Sequence, residues 1–249
     1  MRLTAILELV SDPLLTLTYP HACVICGASV EHRRSGNCCE GCWSATRIFT
    51  EKDHLCWKCG LLSPVSPLES AVAVAFCHRC DSQPFAMARA IGLYSGALRE
   101  TVLDLKRQPH LPAMVLHHLP PAVARLSLAA NTLIVPVPLH VSRERERGFN
   151  QSVVIARAVS RQTGLPIAEG VLERSVHSEK YRAGLDVKGR HDTVAHSFSV
   201  VHPRVITGEY VLLVDDVFTT GATVAACTEV LLAAGAKAVS VFTIARSRY

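Results

Sequence analysis

Two adjacent carboxylates, Asp215 and Asp216, close the apolar run Val211–Val214, and the loop Phe218-Thr219-Thr220-Gly221-Ala222-Thr223 follows almost at once. Carboxylates accept hydrogen bonds from sugar hydroxyls. A threonine- and glycine-rich loop that opens a helix offers a phosphate backbone N–H groups, hydroxyls and the positive end of the helix dipole. Gly221 lets the backbone approach its ligand closely. A sugar 5-phosphate fits this layout, with phosphate on the loop and ribose on the acids. A bare strand-to-helix turn with an Asp N-cap accounts for one acid but not for the whole run. No G-x-x-x-x-G-K-[ST] stretch is present, and the twelve histidines form no H-E-x-x-H signature.

A second chemistry lies near the N-terminus. Of ten cysteines, eight form four C-x-x-C pairs: Cys23/Cys26, Cys39/Cys42, Cys56/Cys59 and Cys77/Cys80. Each pair sets two sulfurs on one tight turn, and two pairs close a tetrahedral shell around Zn²⁺ with no position left for water. The gaps suit zinc ribbons. Sequential pairing and a cross-braced pairing of the first pair with the third both satisfy the spacing. Cys38 stands beside Cys39, but Cys39 completes the C-x-x-C with Cys42 and is the preferred ligand. Disulfides belong to oxidising compartments, and redox C-x-x-C occurs once, at a helix start. Two structural zinc ions are therefore expected, since so short a segment has almost no apolar core without metal. Trp43, Trp57, Arg33 and Arg47 offer this module a docking surface as an alternative to plain packing. Cys227, mid-helix, reads as a small buried apolar residue.

These groups need elements to hold them. The chain has 249 residues, 49% hydrophobic and 19% charged, enough for a packed α/β domain plus a small module. Its formal charge of +5 falls to about +1 once two zinc ions each bind four thiolates, so the basic balance argues little for nucleic acid. The first twenty residues carry Glu8 and Asp12 within their apolar stretch and have no small-residue cleavage site. They read as a short amphipathic helix rather than a targeting signal, and no run is long enough to span a bilayer. A cytoplasmic location is expected. From Ala86 onward short β-like runs alternate with helical ones, which implies a mainly parallel sheet flanked by helices. ARAIGLYSG reads as a strand ending at Gly96, and ALRETVLDLKR as a helix. Pro120 and Pro121 are expected to break PAMVLHHLPPAVARL into pieces. TLIVPVP, VLERSV, SFSVV, YVLLVDD and AVSVFTIAR read as strands. FNQSVVIARAVSRQTG and TTGATVAACTEVLLAAGA read as helices stopped by Gly164 and Gly235.

VLLVDDVFTTGAT closely resembles the phosphoribosyl pyrophosphate (PRPP) motif of type I phosphoribosyltransferases. The four cysteine pairs, a Lys-bearing helix and VPVPLHVSRERERGFNQS (Val135–Ser152) extend the resemblance, which is to the ComF (GntX-type) family of competence-associated phosphoribosyltransferase-like proteins. A composition shift near Asp81–Met87, where a Pro and polar residues follow the last cysteine pair, divides the chain, and the resemblance implies an N-terminal helix with a double zinc ribbon over 1–83 and a type I phosphoribosyltransferase-like domain over 84–249. It implies a pyrophosphate loop that includes Pro138, with Arg143, Arg145 and Arg147 as fixed forks for phosphate, and Asn150 or Gln151 orienting that loop. Lys106 matches the family lysine at the end of the early helix, while Arg107 replaces the usual aromatic. Ser178–His196 takes the place of a hood that closes over the site, with Lys180, Arg182, Lys188 and Arg190 as candidates. Tyr181-Arg182-Ala183 and Thr193-Val194 depart from the family pattern there. The implied activity is transfer of the phosphoribosyl group from PRPP, carried with Mg²⁺, to an acceptor the sequence does not name, in a process linked to DNA uptake. A protein of another class, in which the ribbons contact single-stranded DNA or a DNA-uptake helicase without turnover, carries the same motifs.

Overall fold

Nine residues, Tyr210–Phe218, form strand β5 at the centre of the sheet, and their near-continuous apolar run is explained by cover on both faces. The structure, a computed structural model, describes residues 21–32, 35–63, 77, 80–174 and 197–248. In chain order these contain α1 (Glu40–Ser44), β1 (Met87–Leu93), α2 (Gly96–Leu105), α3 (Ala113–Ala124), β2 (Thr132–Pro136), α4 (Val141–Arg147), α5 (Gln151–Thr163), β3 (Leu172–Arg174), β4 (Phe198–Val200), α6 (Pro203–Ile206), β5, α7 (Ala222–Ala233) and β6 (Ala238–Arg246). The main sheet runs β1-β6-β5-β2, parallel throughout. β3 and β4 form a separate antiparallel pair. The expected parallel sheet flanked by helices is the observed one.

Alternate β5 residues feed opposite core layers. Leu212 and Val214 join the layer made with α2, α3 and α5, while Val211 and Leu213 join the layer made with α7 and the β3–β4 pair. Cys227 lies fully buried in the second layer. The N-terminal module packs in both layers. Cys23, Cys39 and Trp43 belong to the first, and Cys56, Cys59, Cys80 and Phe85 to the second. The module thus sits astride the edge strand β1. Residues 47–49 run antiparallel beside β1: Phe49 N donates to Ile91 O (2.8 Å), and Leu93 N to Arg47 O (3.0 Å). Gly92 is required there, because a Cβ would collide with the Arg47 carbonyl. On the same edge Ala88 N donates to Lys58 O at 2.6 Å.

Two expectations are corrected. β1 stops at Leu93, and Gly96 opens α2 instead of ending the strand. Thr46 Oγ1 accepts from Ala97 N at 2.9 Å, so the N-terminal module caps this helix. Pro120 and Pro121 lie inside one helix, α3, and do not break it. Both prolines are exposed, while Val115, Leu119, Ala122 and Val123 are buried on either side of them. That packing outweighs the lost backbone bonds. The expected N-terminal helix and the Ser178–His196 hood, with Lys180, Arg182, Lys188 and Arg190, lie outside the described residues, as does Arg33. Among the described residues no helix is long and apolar enough to cross a membrane.

Candidate functional site

Strands β2 and β5 are neighbours, yet their following helices, α5 and α7, cover opposite faces of the sheet. The crevice between two such strands, at their C-terminal ends, is where ligands bind in open α/β sheets. A cleft of about 290 Å³ opens there. It is lined by Lys106, the Val137–His140 turn, Arg143, Arg147, Gln151, Ser152, Arg174, Asp215, Asp216 and Thr223.

The two acids form its floor. Asp215 Oδ1 accepts from Ser152 Oγ at 3.0 Å and from Asp216 N at 2.9 Å. Burial, then repulsion from Asp216, push the Asp215 carboxyl up to about 7. Asp216 Oδ2 lies 3.5 Å from Lys106 Nζ, an ion-pair distance too long for a good hydrogen bond. This buried oxygen accepts no hydrogen bond among the described residues. The acid pair therefore keeps unused acceptor capacity at the floor of the cleft. Lys106, read from the sequence against the alternative of a plain surface lysine, reaches the site.

The opposite wall is basic. Arg143 and Arg147 stand four residues apart on α4, on one helical face, and both line the cleft. Arg145 does not join them and is exposed. The family-derived grouping of all three arginines holds for an extended loop. The segment is helical, and a residue two positions on faces away. Arg147 Nη1 donates to Gln151 Oε1 at 2.5 Å. Asn150 caps α5 by accepting from Ser152 N and donates to Val137 O, both at 2.9 Å. It staples the turn after β2 to the helix that carries Ser152, an orienting role, while Gln151 faces the cleft.

The loop after β5 divides its residues. Gly221 is the N-cap of α7 at φ +87°, and Thr223 lines the cleft. Phe218 is buried beneath the loop, edge-on to Phe85 at 5.7 Å, so it is a prop rather than a phosphate contact. Thr219 and Thr220 are exposed at the rim of a second cavity that reaches Cys59, Cys80, Gln83 and Arg246. Ala222 takes the first turn of α7, where Ala222 N points at Thr220 Oγ1 (3.4 Å). Sequence reasoning missed Ser152, His140 and Arg174. Ser152 directly follows the Asn150-Gln151 pair and was the legible one. His140 caps α4 by accepting from Ser142 N. Arg174 comes from β3, paired to His140 by a single bridge that no sequence spacing announces.

The cysteines fall into two four-sulfur groups, Cys23/Cys26/Cys39/Cys42 and Cys56/Cys59/Cys77/Cys80, with all sulfurs of a group within 4.8 Å of one another. The ribbons pair sequentially, and Cys38 stays outside as a buried thiol pushed up to about 12. Sulfur separations of 3.3 to 3.6 Å exclude disulfides, which need about 2.05 Å. They suit a tetrahedron of Zn–S bonds of about 2.3 Å. In each first knuckle, backbone N–H groups point at the leading sulfur. Burial pushes Cys23 and Cys56 up, but donors from Cys39, Cys26 and Ile25, and from Cys59, Cys77 and Lys58, bring them down to about 6 and about 7. These are structural zinc sites. Trp43 is packing: it is buried and donates to Ser35 O at 3.0 Å. Arg47 pairs with Asp53.

The double zinc ribbon domain family matches residues 14–81. DNA utilization protein YhgH of Escherichia coli (strain K12) is 30% identical over 239 residues, 93% of this chain and 99% of that protein. Competence protein ComFC of Bacillus subtilis (strain 168) is 27% identical over 212 residues, 84% of each. Competence protein F of Haemophilus influenzae is 33% identical over 115 residues, and the match spans half the length of that protein. Among solved structures, the glutamine PRPP amidotransferase of B. subtilis overlaps 59% of this chain and 26% of its own, with a TM-score of 0.34 and 19% identity. The full-length relationship, the two four-cysteine centres and the parallel sheet place this chain in the ComF-type family with an N-terminal double zinc ribbon.

Proposed function

We propose that the cleft binds PRPP and that the chain is a phosphoribosyltransferase-like protein with a ComF-like role in DNA uptake or use. One observation carries the reading. Two acids with unused acceptor capacity and the N-terminus of α7 meet at one sheet edge, facing Lys106, Arg143 and Arg147 across a cleft of about 290 Å³. The ribose hydroxyls would donate to Asp216 and Asp215, the 5-phosphate would take the amides of the Gly221 turn, and the pyrophosphate would face the arginines. Positioning and stabilisation of the departing pyrophosphate charge by these cations are the chain's share of a transfer reaction. Among the described residues lining the cleft, Asp215 and Asp216 are the carboxylates, so they would hold a Mg²⁺ carried with PRPP, and the ion would help neutralise the pyrophosphate. The names of the relatives, competence protein F and DNA utilization protein, support the biological setting.

Calorimetric titration of PRPP with Mg²⁺ tests the site. The wild type should bind, and the D215N/D216N double variant should bind at least about tenfold more weakly, as loss of charge-assisted hydrogen bonds implies. Equal affinities would overturn the reading. Pyrophosphate release against a panel of nucleobases and amines then tests turnover.

A second reading has its own observation. Trp57, on the second ribbon, is 39% exposed, and Val24 and Ile25 are exposed on the first. Aromatic and apolar knuckle tips suit base stacking on single-stranded DNA. In this reading the protein handles DNA without turnover. Salt-dependent DNA binding that survives D215N/D216N would support it, and no binding at low salt would sink it.

A further inference from the structure

β6 ends on Arg246, which lies in register with Phe218 at the end of β5. Its guanidinium is buried, at 5% exposure. Nη2 lies 3.4 Å from Cys59 Sγ, and the guanidinium carbon stands 4.1 Å over the centroid of the Phe218 ring. Nε and Nη1 have no hydrogen-bond acceptor among the described residues. An arginine buried so incompletely bonded needs negative charge nearby. Four thiolates around one Zn²⁺ leave a formal charge of about −2. Arg89, on β1, also approaches this ribbon and donates to Cys56 O at 3.5 Å. Two cations from sheet strands thus face the dianionic centre of the second ribbon.

On its other side Arg246 meets the loop. The Phe218 ring is held between Arg246 and Phe85. A Cβ placed on Gly221 would lie 2.8 Å from Phe218 Cζ, so the loop rests directly on the ring. Ser247 N donates to Phe218 O at 2.9 Å. A continuous line of contact therefore runs from Cys59 through Arg246 and Phe218 to the N-cap of α7.

We propose that Arg246 is a positioning residue that couples the second cysteine centre to the phosphate loop, so that loss of metal from Cys56, Cys59, Cys77 and Cys80 loosens the loop and weakens binding of a phosphorylated sugar. This rests on the PRPP reading of the cleft. Arg89 supplies charge to the centre without touching the loop, so the two arginines separate electrostatic support from positioning.

The test uses the full-length zinc-loaded protein as wild type, R246M, R246K and R89M. It reads zinc release to a chelating dye, PRPP affinity by calorimetry, and hydrogen exchange over 218–223. R246M should release one zinc equivalent about tenfold faster and bind PRPP about tenfold more weakly. R89M should speed zinc release while leaving PRPP affinity within about twofold. R246K keeps the charge but loses the flat stack on Phe218. It should retain zinc like the wild type, yet exchange faster at 218–223 and bind PRPP more weakly. Unchanged PRPP affinity and exchange in both R246M and R246K would overturn the coupling. So would an R89M variant that loses PRPP as severely as R246M. If the wild type binds no PRPP, the reading of the cleft fails, and hydrogen exchange alone decides the coupling.

Discussion

Asp215 is held between opposing influences. Burial and Asp216 press its carboxyl towards protonation, while Ser152 Oγ and the Asp216 amide favour the anion. The result, about 7, lies above the ordinary carboxylate value. A folded-state value raised above the unfolded one gives stability that is full below about pH 4 and is lost as pH rises through about 7. Thermal melts of the ligand-free protein between pH 5 and 8 should therefore show a larger fall for the wild type than for D215N. Matching falls would show that the carboxyl ionises without penalty. Gly221 carries a second residue-scale prediction. At φ +87° and with Phe218 Cζ 2.8 Å from the would-be Cβ, G221A should lose about 1–2 kcal/mol in urea unfolding from the left-handed backbone alone. The clash adds to that, and PRPP affinity should fall with it. The chemistry at these residues was legible because acids and loop share one strand-to-helix turn. His140 and Arg174 were not, because the turn after β2 and strand β3 bring them in from elsewhere in the chain.

Elements decide which of several similar residues act. The run Ser142-Arg143-Glu144-Arg145-Glu146-Arg147 suggests three equivalent arginines when read as text. Folded as α4, it keeps Arg143 and Arg147 on the cleft and turns Arg145 outward. R143M should weaken PRPP binding about tenfold, and R145M should stay within about twofold, as an exposed charge away from the ligand would. Equal losses in the two variants would mean that net charge rather than helical facing governs the site. The same lesson applies to α3. Local rules predict a break at Pro120-Pro121, but tertiary burial of Val115, Leu119, Ala122 and Val123 overrides them. The strands were the most readable elements, because β5 and β6 are long apolar runs covered on both faces. Their order, which creates the crevice, depends on pairings that no local pattern encodes.

At the scale of the molecule, the zinc ribbons are part of the sheet's architecture. A composition shift near Asp81–Met87 suggests a module beside a domain, and sequence alone does not reveal how the two interlock. β1 is an edge strand, and an open edge invites pairing with another chain. Here the edge is closed by the ribbons' own backbone: residues 47–49 run antiparallel to it, and Lys58 O takes the Ala88 amide. Arg125, just after α3, donates to Phe49 O (2.8 Å) and Ala90 O (3.0 Å), fixing the added segment from the sheet side. Thr46 caps α2 from the same segment. Metal is what orders chain this short around so few apolar residues. Stripping zinc with a strong chelator should therefore do more than unfold the ribbons. It should uncover β1, lower the melting temperature of the whole chain and produce concentration-dependent light scattering that re-added zinc prevents. A sheet that melts at its original temperature and stays monomeric after both zinc ions are removed would show the ribbons to be an appended module. A single cooperative loss would show that ribbons and sheet fold as one unit, as the shared core and the closed β1 edge require.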